Sequence, residues 1–291
     1  MKIENKYSIS LKNKIEYSIN LLLKSEQMAL DFDPCNGFSL AFSGGKDSQA
    51  LYHIAVMAGV KFKAHMNLTS VDPPEVIRFV KKNYPDVSFN RPKISIYNMA
   101  KNKNVLPTQR IRWCCAEYKE MNGDGKITLL GIRKAESVRR SKREEVSTSI
   151  KGKRNEQTFD QFSEHKETMI GCVRGNDKIM ISPIINWTDN DVWNFLNINA
   201  IKHCELYDNG YSRIGCILCP MANIKVKRMD IEKYPHVKKN WIKVIQNLID
   251  TGHAPKEVIE NGAEFGFEWW LSGKSLSQFC AENISQLKIK F

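Results

Sequence analysis

The chain has 291 residues, 42% of them hydrophobic and 26% charged, with 44 Lys and Arg against 32 Asp and Glu and a net charge of +12. That length makes one large domain or a domain with an appendage, and the composition excludes a disordered chain or one built on membrane-spanning helices, since no apolar run is long enough for a span. A basic excess calls for an anionic partner, a nucleotide or a nucleic acid, and the polar start Met1–Lys6 has no secretory apolar core, so a cytoplasmic location is expected.

In chain order, residues 8–32 put Ile15, Ile19, Leu22 and Leu23 at the spacing of one helical face. Gly37–Phe42 is an apolar strand, followed by the loop Ser43-Gly44-Gly45-Lys46-Asp47-Ser48 and a helix that ends near Gly59. Residues 61–66 form a second strand, and Pro73-Pro74 opens a helix to Tyr84, with proline in the first turn. A short extended piece at Val87–Phe89 precedes helices at Ser95–Lys103 and Cys114–Met121. The apolar run Ile127–Ile132 suits a strand buried on both faces, and Lys178–Ile184 is a further strand. Thr188 caps the next helix, with Asp191 placed as the acidic partner of a capping box. From about residue 200 the strand pattern stops and a helical tail follows.

Alternating strands and helices define an α/β protein with a parallel sheet, whose site lies at the carboxyl ends of the strands. The expected domains are a helical segment over 1–36, a nucleotide-binding α/β domain over 37–200 and a helical region over 201–291. Apolar periodicity fails from Ser141 to Thr168, which reads as a mobile basic loop. Residues 133–154 carry nine Lys and Arg against three Glu, half of the net charge, so this stretch is expected to contact a polyanion or to be a solvated face.

The Ser43–Ser48 loop is the most specific signal. Two glycines let the backbone approach an anion, the helix start supplies N–H groups and a positive dipole end, Ser43 and Ser48 add hydroxyls, and Lys46 adds charge. The Walker A spacing is absent. Cys114-Cys115 and Cys216-Ile217-Leu218-Cys219 form a second constellation. Four thiolates suit tetrahedral zinc or an iron–sulfur cluster, and spacing does not choose between them.

The loop resembles the pyrophosphate-binding loop of N-type ATP pyrophosphatases and sulfonucleotide reductases. Over residues 37–221 the chain resembles the phosphoadenosine phosphosulfate (PAPS) reductase family. The matching pieces are Ser43–Ser48, Arg112–Cys115 with Lys119, Gly131–Ser137 with Arg139 and Arg140, Ser182–Trp193, and Tyr207–Cys216 with Cys219-Pro220. That resemblance implies an adenine nucleotide alpha hydrolase-like (Rossmann-like) fold with ATP or a sulfonucleotide on Ser43, Gly44, Gly45, Lys46, Asp47 and Ser48. It implies a 4Fe–4S cluster on Cys114, Cys115, Cys216 and Cys219, completed by the C-terminal region. Lys46, Asp47, Arg133 and Arg139 are the expected catalytic residues, with Asp47 as a Mg²⁺ ligand.

The Glu-Cys-Gly-[Ile/Leu]-His tail that carries the reductase nucleophile is absent, and Cys280 stands in the wrong context for it. Similar motifs without that tail occur in the sulfurtransferase of DNA phosphorothioation. The expected function is therefore ATP-dependent, adenylating sulfur transfer to a nucleic acid (DNA or tRNA) or a small acceptor, with a sulfur-donor protein as partner and no membrane. The alternatives are a thiol-dependent sulfonucleotide reductase and a non-catalytic nucleotide-binding subunit.

Overall fold

The computed structural model describes residues 6–119, 125–150, 152–164 and 177–288, with side chains as far as 282. Cys172, Lys151 and residues 165–168 of the basic stretch lie outside the described residues, as does the end of the helix expected to reach Met121. The chain divides into two compact units.

The first unit takes the described residues of Met1–Asn67, Pro74–Asn90 and Met121–Ile214. Its helix α1 (Ile9–Phe32) starts at Ser8, whose Oγ accepts from the Leu11 N–H at 3.3 Å. Leu11, Ile15, Ile19 and Leu22 are buried along it, whereas Leu23 falls off the apolar stripe and is 48% exposed. Strands β1 (Phe38–Ala41), β2 (Phe62–Asn67), β3 (Ser88–Asn90), β4 (Ile127–Leu129), β5 (Val146–Ile150), β6 (Lys153–Gln157) and β7 (Lys178–Ile181) form one sheet in the order β3-β2-β1-β4-β7-β5-β6. The first five of that order are parallel, in registers such as Phe38↔Phe62, Ser39↔Thr128 and Leu129↔Ile181. β1 buries Phe38, Ser39 and Leu40 in succession, as a strand covered on both faces must. From β1 the chain builds outward through β2 to β3 and then returns to β4 on the other side, so the strand order reverses between β1 and β4. The carboxyl ends of those two strands are where a doubly wound sheet opens a crevice.

Helices α2 (Lys46–Ala58), α3 (Pro74–Asn83), α6 (Phe159–Glu164) and α7 (Asp189–Ile198) belong to this unit. The capping box at Thr188 and Asp191 forms as expected, with Asp191 also paired to Lys14 at 2.6 Å. The stretch 141–168 departs from the mobile-loop expectation. Its described residues include β5, which pairs antiparallel with β7, and β6, which pairs antiparallel with β5 and makes the sheet edge. Polar side chains hid the hairpin: Ser147 and Thr148 are buried but lack the apolar signature of a strand, and β6 exposes its first three residues.

The second unit gathers Leu68–Pro73, Arg91–Glu120 and Gly215–Phe291. Helices α4 (Ile96–Asn102), α5 (Trp113–Tyr118), α8 (Ile224–Lys233), α9 (Pro235–Asp250), α10 (Lys256–Ser272) and α11 (Leu276–Lys288) lie in it. Trp241, Phe267 and Trp270 centre its core, with the Trp241 and Trp270 rings 4.9 Å apart. Gly266 sets the close packing of α9 on α10, because a Cβ there would stand 2.9 Å from Ile245 Cγ2 and 2.6 Å from Val258 Cγ1. This unit begins at Gly215 rather than near 201, and it also takes two earlier segments that the strand pattern assigned to the nucleotide-binding domain. Among the described residues no helix is long and apolar enough to cross a membrane.

Candidate functional site

In the first unit, β1 runs into Ser43–Gly45 and then α2. Gly44 takes φ +72°, the left-handed region, and a Cβ there would stand 2.8 Å from methyls of Val76 and Val80. Gly45 is the N-cap of α2 and brings no capping side chain, so the helix start stays open except at Lys46, whose N–H donates to Tyr207 Oη at 2.9 Å. Burial pushes the Tyr207 hydroxyl up, which keeps it protonated above the loop. Ser48 turns inward. Its hydroxyl donates to Gly45 O at 2.9 Å and receives the Ser43 N–H at 3.2 Å, so it braces the loop from within. Buried Gln49 adds a second brace, Nε2 to Gly44 O at 3.2 Å.

Four charges lie beside this loop. Lys46 Nζ is 3.6 Å from Asp47 Oδ2 and 3.2 Å from Asp189 Oδ1. Arg133 donates from Nε to Asp47 Oδ1 at 2.6 Å, from Nη2 to Asp189 Oδ1 at 2.7 Å and from Nη1 to Trp187 O at 3.3 Å. The Arg133 side chain is 2% exposed and that of Lys46 6%, while Asp189 is 61% exposed and covers both from the solvent side. Burial alone would lower the Arg133 pKa, but the Asp47 and Asp189 carboxylates raise it above the ordinary value. Burial would likewise raise Asp189, yet Lys46 and Arg133 hold it below the usual carboxylate range. Gly131 makes the approach of β4 possible, since a Cβ there would lie 2.9 Å from Asp47 O.

Lys46, Asp47 and Arg133 are thus brought together and, with Asp189, form a charge-balanced group. Arg133 faces carboxylates rather than solvent, and Asp47 has cations at both oxygens, an arrangement that offers Mg²⁺ no open carboxylate there. Arg139 is exposed and stands outside the group. Asp189, Tyr207, Gln49 and Gly131 were not singled out as site residues from sequence. Asp189 is legible at the first turn of a capped helix within the matching piece Ser182–Trp193, and Tyr207 opens the piece Tyr207–Cys216, but nothing in the sequence tells that Tyr207 reaches the loop across 161 residues.

The second unit assembles the cysteines. Cys114 and Cys115 lie in the first turn of α5, and Cys216 and Cys219 flank a turn in which Leu218 takes φ +55° and Cys219 N–H donates to Cys216 O at 3.2 Å. Asp230 fixes that turn by accepting Leu218 N–H at 2.8 Å. All four cysteines line one cavity, walled by apolar groups such as Ile96, Pro107 and Trp241. Donors surround the sulfurs: Arg112 Nη2 lies 3.3 Å from Cys115 Sγ, Thr69 Oγ1 lies 3.4 Å from Cys216 Sγ, and the Lys119 ammonium bonds Cys216.

The Cys115 thiol falls to about 5, first through the hydrogen bond from Cys114 and then through Arg112 and Lys119, while the same bond pushes Cys114 up. Burial raises Cys216 against the pull of Lys119, whose own pKa rises because Cys216 lies beside it. Among the described residues no three His, Cys, Asp or Glu side chains converge as a site for one metal ion. Cys280 lies on α11 and does not line the cavity.

The phosphoadenosine phosphosulfate reductase domain matches residues 37–222. An uncharacterized protein of Methanocaldococcus jannaschii is 30% identical over 233 residues, which cover 79% of this chain and 51% of that protein. A phosphoadenosine 5'-phosphosulfate reductase of Xanthomonas campestris pv. campestris is 39% identical over 181 residues, which cover 61% of this chain and 68% of the reductase. Among solved structures, the U34-tRNA thiolase NcsA from Methanococcus maripaludis with its [4Fe-4S] cluster aligns at a TM-score of 0.42 and 11% identity, covering 91% of this chain and 82% of that one. The chain spans about half the length of several curated relatives that it matches, 51% and 54% in two cases. It belongs to the phosphoadenosine phosphosulfate reductase domain family.

Proposed function

We propose that this chain is an adenylating sulfurtransferase that binds ATP on the Ser43–Ser48 loop and a 4Fe–4S cluster on Cys114, Cys115, Cys216 and Cys219. The observation that carries the reading is the donor set. Four thiols, distant in sequence, line one cavity and receive hydrogen bonds from Arg112, Thr69 and Lys119. Those donors offset the charge of four thiolates, and the apolar walls exclude water, as an iron–sulfur cluster requires. The cluster, when bound, supplies iron that can hold and deliver sulfur.

The chain's own residues serve the nucleotide. Gly44 and Gly45 admit phosphate oxygens to the backbone, the start of α2 donates N–H groups, and Lys46 adds charge. Arg133 is a positioning residue that holds Asp47 and Asp189 in place. An acceptor oxygen attacks the α-phosphorus, the P–O bond to pyrophosphate breaks, and pyrophosphate leaves. Sulfide, brought by a separate donor, then forms the new bond to the activated atom as that atom's bond to the adenylyl oxygen breaks and AMP leaves.

A sulfonucleotide reductase is the second reading, favoured by the likeness to the Xanthomonas reductase. Protein purified without oxygen and offered ATP, adenosine phosphosulfate or PAPS in turn separates the two. ATP binding, with pyrophosphate and an adenylyl product when acceptor is supplied, supports sulfur transfer. Sulfite released from a sulfated nucleotide while ATP is inert assigns the reductase.

A further inference from the structure

The basic stretch after β4 folds into one cationic surface. A short 3₁₀ turn (Lys134–Glu136) and the segment to Arg143 lead into the β5–β6 hairpin, which forms the edge of the sheet. Three acids serve the cations there. Glu144 pairs with Lys134 at 2.8 Å, Glu136 with Arg140, and Glu156 is shared at 2.9 Å by Arg143 and Arg154. Glu145 is unavailable, being buried against Tyr17 Oη and Phe159 N–H. Arg139, Lys142 and Lys153 are exposed and have no acidic partner among the described residues. The guanidinium of Arg143 also feels Arg154, Arg139 and Arg140, which, after burial, lower its pKa. Cations held this close repel one another, and an external anion relieves that repulsion.

We propose that this surface docks the phosphate backbone of a nucleic acid and so presents the acceptor of the sulfur-transfer reaction. The inference deepens the function proposed above and rests on it for the chemistry. Two observations support it. The cations are spread over separate segments, as the repeated phosphates of a backbone are, and guanidinium pairs with phosphate in a two-pronged fashion. The patch also joins the nucleotide loop by contacts, because Arg140 pairs with Glu136, Glu136 Oε1 accepts the Arg133 N–H at 3.0 Å, and Arg133 holds Asp47. A backbone seated here stands beside the phosphate loop. An anionic membrane is disfavoured, since Val138 is the one large apolar side chain exposed among the described residues of the patch.

The test uses the full-length protein with the double variant Lys142→Gln/Lys153→Gln, which leaves the phosphate loop untouched. The probes are a 30-nucleotide single-stranded RNA, a duplex DNA of the same length, and phosphatidylserine vesicles, each titrated across salt. The parent should bind RNA or DNA with a steep salt dependence. The variant should bind about fivefold or more weakly, with a log–log salt slope smaller by roughly 1.4–1.8, the loss of two phosphate contacts. Its ATP affinity should stay at the parent value. Equal binding by parent and variant, no salt-dependent binding of either nucleic acid, or loss confined to vesicles would each overturn the proposal. Salt-dependent nucleic-acid binding by a protein that ignores ATP would keep the docking surface and remove the adenylating function.

Discussion

Replacing Gly44 and Gly45 by alanine, one at a time, separates what the loop needs for folding from what it needs for binding. Gly44 sits at φ +72°, where an L-residue costs about 1–2 kcal/mol. Its new Cβ would also meet Val76 Cγ1 and Val80 Cγ2 at 2.8 Å. Both valines are fully buried on α3 and cannot swing aside, so overpacking adds about 1–3 kcal/mol. The sum, about 2–5 kcal/mol, is a large share of a stability of about 5–15 kcal/mol. Gly45 differs. It has ordinary backbone angles, φ −81° and ψ 159°, and its Cβ would meet Ser43 Oγ and Tyr207 Oη at 3.5 Å, an ordinary contact. Gly45→Ala should therefore change stability by less than about 1 kcal/mol while crowding the place where a phosphate meets the helix start. Denaturant unfolding gives the stability of each variant, and ATP calorimetry gives its affinity. Gly44→Ala as stable as the parent, or Gly45→Ala as unstable as Gly44→Ala, would refute the reasoning.

Asp189→Asn should tighten ATP binding about two- to fivefold, because an exposed carboxylate worth about 0.4–1 kcal/mol no longer competes with phosphate for Lys46; weaker binding seen only with Mg²⁺ would instead make Asp189 a cation ligand. Protein prepared without oxygen should be brown with about four irons per chain, and Cys216→Ser should bleach it; a colourless protein holding one tight zinc would remove the cluster. Cys280→Ala should keep both colour and turnover, since Cys280 does not line the cysteine cavity; loss of turnover with the colour intact would make it a reductase nucleophile.

The sequence by itself determined the parallel sheet and the β1–loop–α2 turn. Each rests on a short-range pattern: β1 is a continuous apolar run, the Ser43–Ser48 loop is contiguous, and the α1 stripe and the Thr188 cap obey helical spacing. The hairpin over 146–157 escaped because β5 buries Ser147 and Thr148, one on each face, beside Val146, and their hydroxyls erase the apolar pattern that marks a strand. Only the tertiary structure decided the electrostatics of the site. Arg133 is expected from sequence as a catalytic residue, but the fold buries it against Asp47 and Asp189, residues 86 and 56 positions away. Ser48 reads as a ligand donor, but the turn of the loop points its hydroxyl at Gly45 O. Tyr207 joins the loop from 161 residues along the chain. Charge pairing depends on distance and burial, and neither is written in the order of residues until the chain has folded.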